Sequence, residues 1–92
     1  MILEVYGKQN CKLCQSAKKK LNHLLGKWEL LDNISIDFMD METEYGAAES
    51  DFYDVFEIPS VLLRSEDERV IARWDGCAPP SDDLRERLGV PA

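Results

Sequence analysis

The chain has 92 residues, 45% of them hydrophobic, and carries a formal net charge of −7. That length accommodates one domain, expected over residues 1–92, and the acidic balance argues against a nucleic-acid partner. No apolar run approaches the roughly 18–20 residues needed to cross a bilayer, and Met1 to Tyr6 lack a basic leader, so no membrane partner and a cytoplasmic location are expected.

Ile2 to Tyr6 reads as a short strand, apolar on both faces except at Glu4, which suits the middle of a sheet. Gly7 to Asn10 is a turn. From Cys11 the pattern is helical: Cys14, Ala17, Leu21, Leu24, Leu25 and Trp28 recur at steps of three and four and form one stripe, with Gly26 a weak point near the end. Ile34, Ile36 and Phe38 alternate with Ser35 and Asp37, a strand pattern. Thr43 to Phe56 is read as a second helix whose apolar positions are Tyr45, Ala48, Phe52 and Val55, although Gly46 and the acidic Glu49 to Asp51 stretch weaken it.

Ser60 to Arg64 and Arg69 to Trp74 read as strands joined by the polar turn Ser65 to Glu68, hence an antiparallel hairpin. Pro79 and Pro80 break the chain. Ser81 is the expected N-cap of a last helix, with Asp82 and Asp83 in its first turn, Leu84 and Leu88 on one face, and Gly89 as its stop. The first two strands flank a crossover helix and are therefore expected to run parallel. The predicted order is β-α-β-α-β-β-α, a mixed four-stranded sheet flanked by helices, of the α/β class.

Charge is unevenly spread. Residues 1–30 hold six lysines against two glutamates, and the remainder holds five arginines against sixteen acids. Lys18 to Lys20 are expected to be the wet face of the first helix. Cys11-Lys12-Leu13-Cys14 lies within this basic third, where a strand hands over to a helix. Unpaired backbone N–H groups at a helix start stabilise an anion, and the thiolate is the reactive form of cysteine. The first cysteine sits at the helix mouth and the second one turn in, within reach of a mixed disulfide formed by the first. The bland alternative is a structural pair or half of a zinc site. Zinc needs four ligands and only Cys77 and His23 remain as further Cys or His, with His23 read as a surface or boundary residue, so no metal is expected. Cys77 is expected to be a small, mostly buried cysteine, the alternative being a reactive third thiol. Trp28 and Trp74 are read as core or edge packing.

Val5-Tyr6-Gly7-Lys8-Gln9-Asn10-Cys11-Lys12-Leu13-Cys14 resembles the opening of glutaredoxins, with Lys8 three residues before the first cysteine. The C-x-L-C form is most similar to small glutaredoxin-like proteins. Glu57-Ile58-Pro59-Ser60-Val61-Leu62-Leu63 resembles the segment that bears the cis-proline of thioredoxin-fold proteins, and Asp40 falls where they often carry an acid after the second strand. The resemblance implies a thioredoxin-like fold and a thiol–disulfide oxidoreductase. Cys11 would be the nucleophile, Cys14 the resolving thiol, Lys8 and Lys12 thiolate-stabilising or substrate-binding groups, and Ile58 with Pro59 the backbone platform for an extended substrate. It also implies a disulfide-bearing protein or small thiol as substrate, an upstream thiol reductant, a monomer, and no tightly bound cofactor.

Two alternatives are an iron–sulfur cluster held through Cys11 and glutathione, and a redox-inactive partner-binding module using the Pro59 groove. Glutathione-dependent members carry C-P-Y-C, Thr-Val-Pro and a Gly-Gly closely followed by acids. Here Lys12-Leu13, Glu57-Ile58 and the Pro79-Pro80 insertion stand in those places. Glutathione is therefore expected to act as a weakly bound reductant at most.

Overall fold

The computed structural model describes residues 1–91. Strand β1 spans Ile2–Gly7, helix α1 Lys12–Lys27, strand β2 Ser35–Asp40, helix α2 Glu44–Phe52, strands β3 Ser60–Arg64 and β4 Val70–Trp74, and helix α3 Ser81–Leu88. The sheet order is β2-β1-β3-β4. β1 pairs in parallel with β2, Ile2 opposite Ser35, and antiparallel with β3, Ile2 opposite Arg64. β3 and β4 form the antiparallel hairpin. The near-continuous burial of β1 follows from its central place.

Alternation along the strands divides the interior in two. Leu3, Val5, Val61, Leu63 and Trp74 face α1 and α3, whose Ala17, Leu21, Leu24, Leu25 and Leu84 complete the larger core. The stripe read from the sequence is thus the buried face of α1, with Trp28 half-buried at its end. Tyr6, Met39, Val55 and Leu62 form a smaller cluster on the opposite face.

That second face also holds Glu4, which is 4% exposed. Its carboxylate accepts from the Arg64 guanidinium at 3.1 Å and from the Tyr6 hydroxyl at 3.3 Å. The Arg64 guanidinium lies over the Tyr53 ring at 5.1 Å from its centroid, and its Nε is buried without a partner among the described residues. Burial holds the Glu4 carboxyl above its ordinary range despite the attraction of Arg64. Burial, and then the Glu4 charge, likewise push the Tyr6 phenol up.

The structure departs from the expected elements at α2, at the start of α3, at the start of β4 and along Lys18 to Lys20. α2 ends at Phe52 rather than Phe56, and it does not bury the apolar face expected of it: Tyr45, Ala48 and Phe52 are exposed, while Gly46 and Ser50 face inward. The cause is close approach. The Thr43 hydroxyl caps the helix by accepting the Gly46 N–H at 3.0 Å, and a side chain at Gly46 would run into the backbone carbonyl of Asp40. Val55 is buried by the segment after the helix, where its N–H returns to the Ser50 carbonyl at 2.8 Å. Ser81 is the first residue of α3, not its cap. Pro80 occupies the cap with no side-chain bond, and Asp83 instead accepts from the Trp74 indole at 2.6 Å.

Arg69 closes the hairpin turn, its carbonyl accepting the Ser65 N–H at 2.9 Å, so β4 starts at Val70. Lys18 to Lys20 are not uniformly wet. Lys18 covers the Phe38 ring at 4.9 Å, Lys20 donates to the Pro79 carbonyl at 2.9 Å, and only Lys19 is exposed. No helix among the described residues is long and apolar enough to cross a membrane.

Candidate active site

The C-terminal end of β1 and the start of α1 bring the two cysteines together. Cys11 is the N-cap of α1, extended at φ −89° and ψ 111°, and its sulfur accepts the Cys14 backbone N–H at 3.1 Å. The helix therefore turns an otherwise unpaired amide onto the first cysteine, and no acid stands in its first turn to oppose the positive end of the dipole. The Cys11 carbonyl accepts the Gln15 N–H at 3.1 Å, and its own N–H is held by the Lys8 carbonyl at 3.2 Å, which fixes the turn.

Cys11 is half-buried and Cys14 fully buried. They are joined as a disulfide with Cα atoms 5.2 Å apart. Gly7 makes this possible: a Cβ there would lie 2.5 Å from the Cys14 sulfur and 2.7 Å from its Cβ. β1 thus passes directly beneath the second cysteine.

Of the other predicted site residues, Lys8 stands exposed on the turn. Lys12 is also exposed and lines a shallow recess with Cys11, Gln9 and Gln15. The Ile58–Pro59 peptide is cis, Pro59 is buried and Ile58 half-buried. Pro59 lines a mostly apolar cavity of about 280 Å³ together with Leu13, Ala17, Gly76, Cys77 and Ala78. Leu13, the third residue of the motif, is 70% exposed at its mouth. Asp40 is not brought to this site. Its side chain accepts the Glu42 N–H at 2.9 Å and its carbonyl the Thr43 hydroxyl at 2.7 Å, so it builds the turn into α2.

Cys77 is a free, exposed thiol, contrary to the buried cysteine expected. Its placement depends on its neighbours. Gly76 adopts a positive φ of 77° with the Glu57 carboxylate packed where a side chain would be. The Gly76 N–H donates to the Ser60 hydroxyl at 3.1 Å, which donates to the Glu57 carbonyl at 2.6 Å. This pair of bonds fastens the Gly76-Cys77 loop beside Pro59 and leaves Cys77 on the rim. Pro79, fully buried, anchors the far end of the loop to α1 through Lys20. Among the described residues no group of three or more His, Cys, Asp or Glu side chains is placed to hold a metal ion, and His23 is exposed.

No protein-family model matches the chain, and no curated protein matches it. Solved structures do. A malarial protein superposes with a TM-score of 0.72 at 17% identity, over 96% of this chain and 92% of its own. Thioredoxin 1 from the thermophilic eubacterium Thermosipho africanus TCF52B gives 0.72 at 16% identity, over 97% and 91%. Thioredoxin-2, described as a component of the malaria parasite protein secretion machinery, gives 0.75 at 17% identity, over 96% and 80%. The mixed four-stranded sheet flanked by helices is the thioredoxin fold.

Proposed function

We propose that this chain is a thiol–disulfide oxidoreductase of glutaredoxin-like kind, working through Cys11 and Cys14. The observation that carries this reading is the Cys11 sulfur at the mouth of α1, accepting the Cys14 amide and lying within bonding reach of the buried Cys14 sulfur. In the reduced protein the same amide and the helix dipole favour the Cys11 thiolate, and the exposed Lys8 and Lys12 add a smaller attraction.

Cys11 thiolate attacks a substrate disulfide. The substrate S–S bond breaks, one substrate sulfur leaves as thiolate and takes up a proton, and a mixed disulfide forms on Cys11. Cys14, on losing its proton, attacks the Cys11 sulfur and releases the second substrate thiolate. Two electrons have then passed from the dithiol to the substrate, and the Cys11–Cys14 disulfide awaits an upstream thiol reductant. The buried position of Cys14 suits this division of labour, since an external disulfide meets Cys11 first.

Equilibration with glutathione buffers of graded ratio, read by mass after acid quench, tests the reading. A Cys11–Cys14 disulfide that opens and closes reversibly across the series supports it. In the Cys14→Ser variant a persistent mixed disulfide on Cys11 is expected, because the resolving thiol is gone. A pair that stays fixed in one state across the whole series would remove the oxidoreductase assignment.

A further inference from the structure

A second recess of about 210 Å³, lined by Asp54, Phe56, Glu57 and Asp75, adjoins the apolar cavity beside Pro59. The two share a wall. Glu57 and Asp75 belong to the second recess, Pro59 and Gly76 to the first, and the Glu57 carboxylate rests on Gly76 between them. Both compartments present apolar surface to solvent: Leu13 is 70% and Phe56 83% exposed.

The charges along this groove are ordered. At the Cys11 end, Lys12 and Lys19 line the shallow recess around the first cysteine. Lys20, in the middle, is occupied by the Pro79 carbonyl. At the far end, Arg73 pairs with Asp75 at 2.7 Å and donates to the Tyr53 and Asp54 carbonyls, which braces the recess and neutralises one of its acids. Asp54 and Glu57 pair with no cation among the described residues. The far recess therefore sets three acids, Asp54, Glu57 and Asp75, against the single cation Arg73 around an exposed aromatic ring, a net negative arrangement that receives a guanidinium or ammonium by ion pairing and by contact with the ring face.

We infer that the groove docks a polypeptide segment that places an apolar side chain against Pro59 and a lysine or arginine beyond it, between Asp54, Phe56 and Glu57. This deepens the proposed function by naming its substrate class, cationic protein segments rather than small anionic thiols. It rests on that reading only in taking Cys11 as the end of the groove where chemistry occurs.

The test uses sulfur-free peptides, so it stands apart from the redox assay. The ¹⁵N-labelled oxidised protein is titrated at low salt with acetyl-Ser-Leu-Thr-Lys-amide and with the same peptide ending in Glu. The lysine peptide should shift the amides of Phe56, Asp75, Gly76 and Cys77 and bind about fivefold more tightly than its acidic counterpart, the ratio expected of exposed ion pairs. That preference should vanish at about 0.5 M salt and in the Asp54→Asn/Glu57→Gln variant, whose isosteric changes at exposed positions leave the fold intact. Equal affinities, preference for the acidic peptide, shifts confined to residues 8–19, or no binding of either peptide at millimolar concentration would each overturn the inference. A redox pair that fails to cycle would leave it standing, and a cycling pair would not rescue it.

Discussion

Replacing Arg64 by methionine isolates the most consequential buried contact of the molecule. Arg64 supplies the only cation facing Glu4 among the described residues, at 3.1 Å, and the carboxylate is 4% exposed. In Arg64→Met the Tyr6 hydroxyl remains as a partner, but the charge is left uncompensated. Breaking one side of such a buried pair costs about 3–5 kcal/mol, against a total stability of about 5–15 kcal/mol for a domain of ordinary robustness. The variant should thus lose a large fraction of its stability at pH 7.5.

The loss should shrink at pH 5, and the direction follows from the carboxyl. Burial already raises it above its ordinary 4.5, and removing Arg64 removes an influence that lowers it. A carboxyl whose folded-state pKa is raised stabilises the fold below its unfolded value, and that contribution is lost as pH rises through the folded value. Urea unfolding at the two pH values measures the effect, provided the slopes agree. The double variant Glu4→Gln/Arg64→Met, which removes the charge, should recover at least half of the loss. A loss under about 1 kcal/mol at pH 7.5, or a double variant no more stable than the single one, would refute the reasoning.

Three further outcomes are expected. Gly7→Ala places a methyl group against the Cys14 side chain and should destabilise the reduced protein by about 1–3 kcal/mol in urea unfolding, the usual cost of overpacking. In the reduced protein at neutral pH, iodoacetamide should modify Cys11 first, then the exposed Cys77, and the fully buried Cys14 last, as read by peptide mass mapping; early labelling of Cys14 would reverse the roles assigned to the pair. Reduced glutathione should bind the Cys14→Ser protein only at about millimolar concentration, about −4 kcal/mol, because one exposed lysine such as Lys8 adds at most about 1 kcal/mol. Saturable micromolar binding that moves Gly76, Cys77, Asp82 and Asp83 would show a formed glutathione pocket.

The elements whose burial follows a regular period were legible from residues alone. The α1 stripe from Cys14 to Leu25, the alternation in β2 and the hairpin all depend on local spacing, and local spacing is what a sequence displays. The orientation of α2 was not legible, because the helix approaches the sheet through Gly46 and Ser50. A reading that looks for large apolar residues assigns the inward face to Tyr45 and Phe52, which point to solvent.

Glu4 was visible as the odd residue of β1, but its partner lies 60 positions away and no local pattern announces it. The cysteine motif could be placed at a helix start by its neighbours. The exposure of Cys77 could not, since it is set by Glu57 packing on Gly76 and by Lys20 holding Pro79. The groove's charge order has the same origin: Asp54, Glu57 and Asp75 are separated along the chain and meet only where the hairpin and the α2–β3 connection fold together.

The central position of β1 also governs how the chain assembles as it is made. β1 leaves the ribosome before both of the strands it pairs with: β2 follows soon after α1, and β3 comes across a gap of about 60 residues. At a synthesis rate of roughly 5–20 residues per second, the β3-facing edge of β1 stays unpaired for several seconds. An open, apolar strand edge is a template for joining foreign strands. Glu4 sits midway along that edge and carries an uncompensated charge until Arg64 emerges. During synthesis it opposes association with the wrong chain, and the guanidinium that later compensates it arrives on the strand that closes the edge.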